Sequence, residues 1–445
     1  MPELSIGRAF AWLADQSPDA VAVRCGDEVL TRRELDLASN RIARRWAREG
    51  LAVDDSVTIA LPNGIDVVLA TVAAWKAGAT PAPLSLATSA DERAEIEALI
   101  RPALVVDGPL DPCAEEDDGP LPDRWASSWK AASSSGSTGR PKVVRATAPA
   151  RVDPSRPAAA FVPQHAVQLV AAPLVQGATF VYAFRGLMTG HELVVMPVFD
   201  AGEWLRLVTG ATWAVLSPAT MARVLERPER PEVDLTLLHV GARCPEPVKR
   251  AWIERLGPDR VHEVYAGTES QGVAFIDGTE WLAHPGSVGR GVGGSEFLVF
   301  RPDGSICDAG EVGEIRMRRG SASYSYVGAE PDVRDGWHTL GDAGWLDEDG
   351  YLYVGDRLAD LVTVDGTLVL PADVEAVLEA HPRVRGALVV ERAGLHAVVD
   401  GDLTEAELAA WAAGHLDAVR RPRSWQLVVG PLRDDAGKAR RSDHR

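Results

Sequence analysis

The 445-residue chain carries 46 Lys and Arg against 64 Asp and Glu, a formal net charge of -18, with 46% hydrophobic and 25% charged residues. That composition suits a globular protein with a large core and more than one domain, and the negative balance argues against nucleic acid, because duplex affinity rests on Lys and Arg neutralising phosphates. No apolar run approaches a membrane span and no basic start precedes an apolar segment, while Cys25, Cys113, Cys244 and Cys307 lie far apart without metal-pair spacing; a cytoplasmic, reducing setting is expected.

Residues 6–50 hold two amphipathic helical patterns around a short strand at 21–24 and a turn at Gly26-Asp27. Thr31 with Glu34 makes a capping box that opens the second helix. A buried strand at 57–61 closes at Pro62-Asn63-Gly64; a helix at 65–77, a strand at 80–84, a helix at 90–100 and a strand at 103–106 follow. Such alternation predicts a parallel sheet with helices on its faces. Residues 107–132 and 145–165, rich in Pro and charge, read as loops. The alternation resumes with strands at 170–172, 192–196, 213–216 and 237–240 and helices at 179–189, 201–208 and 219–225; Met221, Val224 and Leu225 form a core stripe. Beyond Tyr265 the helical patterns fade, and short strands with turns up to Gly355 predict a β-rich subdomain packed by Trp337 and Trp345. His262 and His338 are assigned no chemistry. A last unit, about 358–445, shows strands at 361–364 and 387–390, helices at 372–380 and 405–419, and a basic tail.

Between the two loops lies Ser133-Ser134-Ser135-Gly136-Ser137-Thr138-Gly139-Arg140-Pro141-Lys142. Glycines let successive N–H groups turn toward one point and hydroxyls add rotatable donors, so this stretch suits phosphate oxygens. It is no Walker A loop, since Arg140-Pro141 separates Gly139 from Lys142. A flexible Ser/Gly linker is the competing reading. The ordered Thr-Gly-x-Pro-Lys exit speaks against it.

Four further stretches join it: Tyr265-Ala266-Gly267-Thr268-Glu269; Thr339-Leu340-Gly341-Asp342 with Trp345 to Tyr351; Gly355-Asp356-Arg357; and Gly437-Lys438. Their order resembles the adenylate-forming superfamily of acyl-CoA synthetases, luciferases and peptide-synthetase adenylation domains. Ser39-Asn40-Arg41, Trp75-Lys76-Ala77-Gly78-Ala79 and Pro285 to Arg290 extend the resemblance along the chain, and Arg185-Gly186-Leu187, Cys244-Pro245 and Lys249 to Ile253 look most like bile-acid and long-chain acyl-CoA ligases. The resemblance implies an α/β fold: a large N-terminal lobe with a β-rich subdomain over 1–356, a hinge at 357–360, and a small mobile α+β domain over 361–445. It also implies ATP and Mg²⁺, with CoA as the acceptor in the thioester-forming branch.

By the same resemblance, Ser134, Ser135, Gly136, Ser137, Thr138, Gly139 and Lys142 hold the β- and γ-phosphates. Thr268 touches the α-phosphate and Glu269 holds Mg²⁺, a cation that prefers hard oxygen ligands. Tyr265, with Ala266 and Gly267, stacks on adenine, and Gly241, Ala242 and Arg243 line the opposite side. Asp342 and Arg357 take the ribose, and Lys438 bridges the attacking carboxylate and the α-phosphate. Taken singly, Asp342 could be a turn residue, Glu269 a helix cap and Lys438 a solvated charge; their joint order is what argues otherwise.

Departures from the family pattern follow. Pro173-Leu174 is succeeded by Val175-Gln176 instead of an aromatic and His, so Val175, Gln176 and Phe180 are expected at a changed acyl pocket. Ala359 stands at the hinge position, and Val364-Asp365-Gly366 replaces a paired-glycine loop near the pantetheine path. Two readings therefore share one adenylation step. One is an acid–CoA ligase for an aromatic, polycyclic or fatty acid. The other uses a non-thiol acceptor, as an amide ligase or a diazotase-like enzyme taking nitrite and an arylamine. A non-enzymatic adenylate binder is the third possibility, against which Glu269 and Lys438 speak. The oligomeric state is left open.

Overall fold

A computed structural model describes residues 2–135, 141–430, 432–433 and 441–444. The large lobe is built on two parallel sheets. The first has nine strands in the spatial order Arg290–Gly291, Val273–Asp277, Val261–Ala266, Thr236–His239, Trp213–Leu216, Val167–Val170, Glu192–Val195, Val21–Cys25 and Glu28–Thr31. Its six central strands run parallel and its edges antiparallel. The second places Ser56–Ile59 between Thr80–Pro83 and Leu104–Val106, all parallel.

Local chemistry explains the elements. The capping box of Thr31 and Glu34 is present at the head of the helix Arg32–Arg48. The helix Ile65–Ala77 is apolar nearly all round and therefore buried nearly all round, and Gly78 ends it in the left-handed region at φ 82°. Trp75 anchors the core: its indole donates to the Trp129 carbonyl at 2.8 Å, and it packs on Phe10, Phe180 and Phe184. Lys76 is buried because Asp36 (2.5 Å) and Asn40 (2.7 Å) accept from its ammonium. The Met221 stripe lies in the core as expected, with Leu225 partly buried beside it.

Three segments depart from expectation. Glu246–Leu256 is a helix that burial of Trp252 and Ile253 holds in place, although its charged surface hides the apolar period. Ala131–Ser135 is a strand, antiparallel to Pro141–Ala146, so the hydroxyl-rich stretch begins and ends in paired strands and the preceding loop ends early. Leu395–Gly401, for which the sequence pattern predicts no element, is the central strand of the small lobe, pairing with Val384–Glu391 and Ser424–Val428. The helices Pro371–Glu379 and Glu405–His415 pack on that sheet, the second ending four residues earlier than its apolar pattern at the extended Leu416.

The β-rich subdomain appears as anticipated, with Glu296–Phe300, Gly313–Arg318, Trp337–Leu346, Val333–Arg334 and Leu352–Arg357 in one antiparallel sheet. Trp337 meets Phe300 and Trp345 stacks on Tyr353. His338 is hydrogen-bonded to the Tyr324 hydroxyl at 3.0 Å and His262 to the Asp259 carbonyl at 3.1 Å, both packing roles. No helix among the described residues is long and apolar enough to cross a membrane.

Candidate active site

Parallel strands of an open sheet end on one side, and the crevice beyond those ends is where ligands bind in such folds. Here the segments leaving Val167–Val170, Thr236–His239 and Val261–Ala266 carry Val175-Gln176, Gly241-Ala242-Arg243 and Gly267-Thr268-Glu269. The β-rich sheet closes the same side. Its strands Trp337–Leu346 and Leu352–Arg357 set Asp342 directly opposite Arg357.

Three residues from three separate motifs meet there. The Tyr265 hydroxyl donates to Asp342 Oδ2 at 2.7 Å, and Arg357 Nη1 lies 3.2 Å from Asp342 Oδ1 while donating to the Leu340 carbonyl at 2.6 Å. Burial first, and then the Asp342 charge, raise the Tyr265 phenol well above its ordinary pKa, so it stays a neutral donor. At Gly267 a Cβ would stand 2.6 Å from Glu269 Oε2 and 2.8 Å from Leu340 Cδ2, so a side chain there would displace the ends of both.

The Glu269 carboxylate is buried, and its Oε1 accepts from the Tyr326 hydroxyl at 2.7 Å. The Glu269 carbonyl accepts from Ser323 Oγ at 2.8 Å. Lys142, paired in register with Ser134 across the hairpin, holds its ammonium 4.7 Å above the Tyr326 ring. Tyr326 thus connects the strand that carries Lys142 to Glu269, a contact the sequence reading missed. Its signal was the alternation Tyr324-Ser325-Tyr326 in a strand that pairs with Pro141–Ala146. Among the described residues no three His, Cys, Asp or Glu gather to hold a metal. A single carboxylate suits Mg²⁺ all the same, which is commonly held by one or two carboxylates plus substrate phosphates.

Lys130 is a second omission of the sequence reading. Its side chain is buried and its ammonium donates to the Thr268 carbonyl at 2.9 Å. Burial lowers its pKa to about 8, the Arg185 charge adding to the effect and Glu269 opposing it. Thr268 also faces the start of the helix Gly177–Leu187, where a Cβ on Gly177 would come within 3.4 Å of Thr268 Oγ1.

Other expected positions behave differently. Gln176 is exposed at the head of that helix, but Val175 and Phe180 are buried in the main core, Phe180 among Trp75, Trp129 and Phe184. The helix turns Phe180, Ala183, Phe184 and Leu187 inward at helical spacing, which makes Phe180 a support of the wall and not an open face. Arg243, at the end of the loop 241–243, pairs with Asp373 of the small lobe at 3.0 Å. Asp365 occupies the tip of the hairpin Val362–Val364/Thr367–Val369, where Asp365 and Gly366 both take positive φ as a two-residue turn requires. Its exposed carboxylate pairs with Arg423 at 3.1 Å, which offsets the charge expected to repel an anionic acceptor. Gly136, Ser137, Thr138, Gly139 and Lys438 lie outside the described residues, and Ser134 and Ser135 are described in backbone only.

After the strand Leu352–Arg357, Leu358–Asp360 forms a single 3-10 turn. Arg441 reaches across it to Asp356 (3.0 Å), Asp360 (3.4 Å) and Glu375 (2.6 Å). Glu375 also pairs with Arg433 at 2.7 Å, and Asp356 accepts from the Ala372 N–H at 2.8 Å.

The model of the AMP-binding enzyme family matches residues 10–128 and 133–327. The 2-succinylbenzoate–CoA ligase of Bacillus licheniformis is 28% identical over 97% of this chain and 98% of its own. Among solved structures, o-succinylbenzoate CoA synthetase from Bacillus subtilis, in complex with an acyl-adenylate intermediate, superposes with a TM-score of 0.86 at 23% identity, covering 100% of this chain and 99% of that one. The amide bond synthetase of Marinactinospora thermotolerans gives 0.83 at 22%, covering 99% of each.

Proposed function

This chain belongs to the AMP-binding enzyme family, and we propose that it joins a carboxylic acid to the α-phosphate of ATP, releases pyrophosphate and passes the acyl group to CoA. The observation that carries the reading is the convergence of Tyr265, Asp342 and Arg357, remote in sequence and joined at 2.7 and 3.2 Å. That arrangement suits a nucleoside. Asp342 offers carboxylate oxygens to vicinal hydroxyls, Arg357 keeps the carboxylate in place, and the ring of Tyr265 lies alongside for a base.

Adenylation brings two anions together, so it needs donors and positive charge set in advance of reaction. Lys142 and the hydroxyl-rich hairpin serve the leaving pyrophosphate. Thr268 serves the α-phosphate, and Lys438 neutralises charge that develops between carboxylate and phosphorus. Glu269 would hold Mg²⁺, which supplies charge neutralisation on the triphosphate; Tyr326 fixes the rotamer of Glu269, and Gly267 leaves room for its second oxygen. We take residues 357–360 as a hinge between lobes over 1–356 and 361–445. Support comes from the polar character of the lobe contacts, Arg243–Asp373 and Arg441–Asp356, and from a small-lobe core that closes on itself.

The test is ATP–pyrophosphate exchange across carboxylic acids and nitrite, followed by product analysis with CoA and with arylamines. Acid-dependent exchange with CoA thioester is the expected result. Exchange with nitrite alone would overturn it in favour of a diazotase-like reaction, and acyl transfer to amines alone would move the acceptor. Lys438→Ala should cut exchange at least about a hundredfold, the scale of one preorganised charge; an unchanged rate would remove Lys438 from the chemistry.

A further inference from the structure

The turn that carries Thr268 and Glu269 is strained. Ser270 takes φ 54°, in the left-handed region that a residue with a side chain adopts at a cost. Its N–H closes the turn on the Gly267 carbonyl at 3.0 Å. Such a conformation persists where the surroundings over-determine it, and here two side chains do so. Lys130 Nζ donates to the Thr268 carbonyl at 2.9 Å and Ser323 Oγ to the Glu269 carbonyl at 2.8 Å, so both peptide planes that flank Glu269 are held. Planarity then directs the Glu269 and Ser270 N–H groups to the sides opposite those carbonyls.

Both clamping residues are held in turn. Lys130 is buried, and its own carbonyl accepts from the Ala146 N–H at 3.0 Å and from Ser128 Oγ at 2.8 Å. The Ser323 N–H donates to Gln271 Oε1 at 2.8 Å, and its carbonyl accepts from the Thr147 N–H at 3.1 Å. Lys130 immediately precedes the strand Ala131–Ser135 and Ser323 the strand Tyr324–Val327, and these two flank Pro141–Ala146 in a three-stranded sheet. With Ala131 opposite Arg145 and Tyr324 opposite Ala146, Lys130 and Ser323 share one end of that sheet. Its other end is the pair Ser135 and Pro141, inside the hydroxyl-rich stretch 133–142.

We infer that Lys130 and Ser323 are positioning residues for adenylation: they clamp the strained turn 267–270 to the end of this sheet, and so fix Thr268 and Glu269 relative to Lys142 before substrates bind. The inference rests on the adenylation reading, which gives Thr268 the α-phosphate and Glu269 the Mg²⁺. Groups set in advance of reaction act on the transition state more than on the bound substrates, so their loss shows in kcat and not in KM.

Lys130→Met keeps the length of the side chain and loses the donor, and Ser323→Ala removes one hydroxyl. In pyrophosphate exchange kcat should fall about 10- to 100-fold in Lys130→Met, the worth of a hydrogen bond from a charged group, and about 3- to 10-fold in Ser323→Ala. KM for ATP and for the acid should stay within about threefold of the unaltered protein. Glycine takes positive φ without strain, so Ser270→Gly added to Lys130→Met should recover about fivefold of the lost rate. Hydrogen exchange at the Ser270 amide reads the turn without turnover. It should quicken at least about tenfold in Lys130→Met and about threefold in Ser323→Ala. A rise in KM with kcat unchanged, no recovery in the double variant, or Ser270 exchange equal to that of the unaltered protein would each overturn the inference. Should Lys130→Met not fold, Ser323→Ala decides by kcat and by Ser270 exchange. If no acid supports pyrophosphate exchange, the adenylation reading falls, and the Ser270 amide alone decides the clamp.

Discussion

Arg441→Met would leave two nearly buried carboxylates, Asp356 and Glu375, short of the cation that joins them. Burial holds Asp356 at about 6 instead of the ordinary 3.8, with Arg441 pulling the other way. A rise of roughly two units corresponds to roughly 3 kcal/mol. The sign follows from the direction: a carboxyl whose folded pKa is raised stabilises the fold fully below about pH 4, and that contribution is lost as pH rises through about 6. Without Arg441 the folded pKa climbs further, so the loss extends to higher pH. At pH 7.5 the variant should lose about 3 kcal/mol of local stability, the scale of breaking one buried ion pair. At pH 5 Asp356 is mostly protonated in both proteins, and only the weakened Glu375 contact remains, about 1 kcal/mol. Hydrogen exchange of the strand Val384–Glu391 reads this directly, because the Val389 N–H donates to Glu375 at 2.7 Å. Exchange should quicken about a hundredfold at pH 7.5 and less than about tenfold at pH 5, after correction for intrinsic rates. An equal effect at both pH values would refute the reasoning, as would a change under about 0.5 kcal/mol at pH 7.5, the range of an ordinary surface substitution.

Asp342→Asn should raise KM for ATP about tenfold or more, from loss of charge-assisted bonds to the nucleoside, with kcat moved less; exchange kinetics showing an unchanged KM would place the nucleoside elsewhere. Tyr326→Phe removes the hydroxyl that orients Glu269 and should raise the Mg²⁺ concentration needed for half-maximal exchange about tenfold. A Mg²⁺ titration identical to that of the unaltered protein would make Tyr326 a packing residue only.

The strands and helices of the large lobe were readable because their signals are local: apolar runs bounded by Pro, Gly and Asn, and the capping box at Thr31. The motif residues were readable by resemblance, and the register of Asp342 opposite Arg357 gives two of them a common place. The helix Glu246–Leu256 and the strand Leu395–Gly401 were not. The first is nearly half charged, with Lys249, Trp252 and Ile253 as its buried residues, and the second is legible as a strand only once both neighbours pair with it. Tyr326 and Lys130 were invisible as site residues for a related cause. Each owes its role to a partner that tertiary structure supplies: Glu269 for the first and the Thr268 carbonyl for the second. Phe180 shows the converse, a residue near the right motif that the helix turns into the core. Residue type and order along the chain determined which chemistry this protein is equipped for. Which charges stand alone, which are neutralised and which are buried was decided by the fold, because burial and Coulomb interaction depend on distances in space and not on distances in sequence.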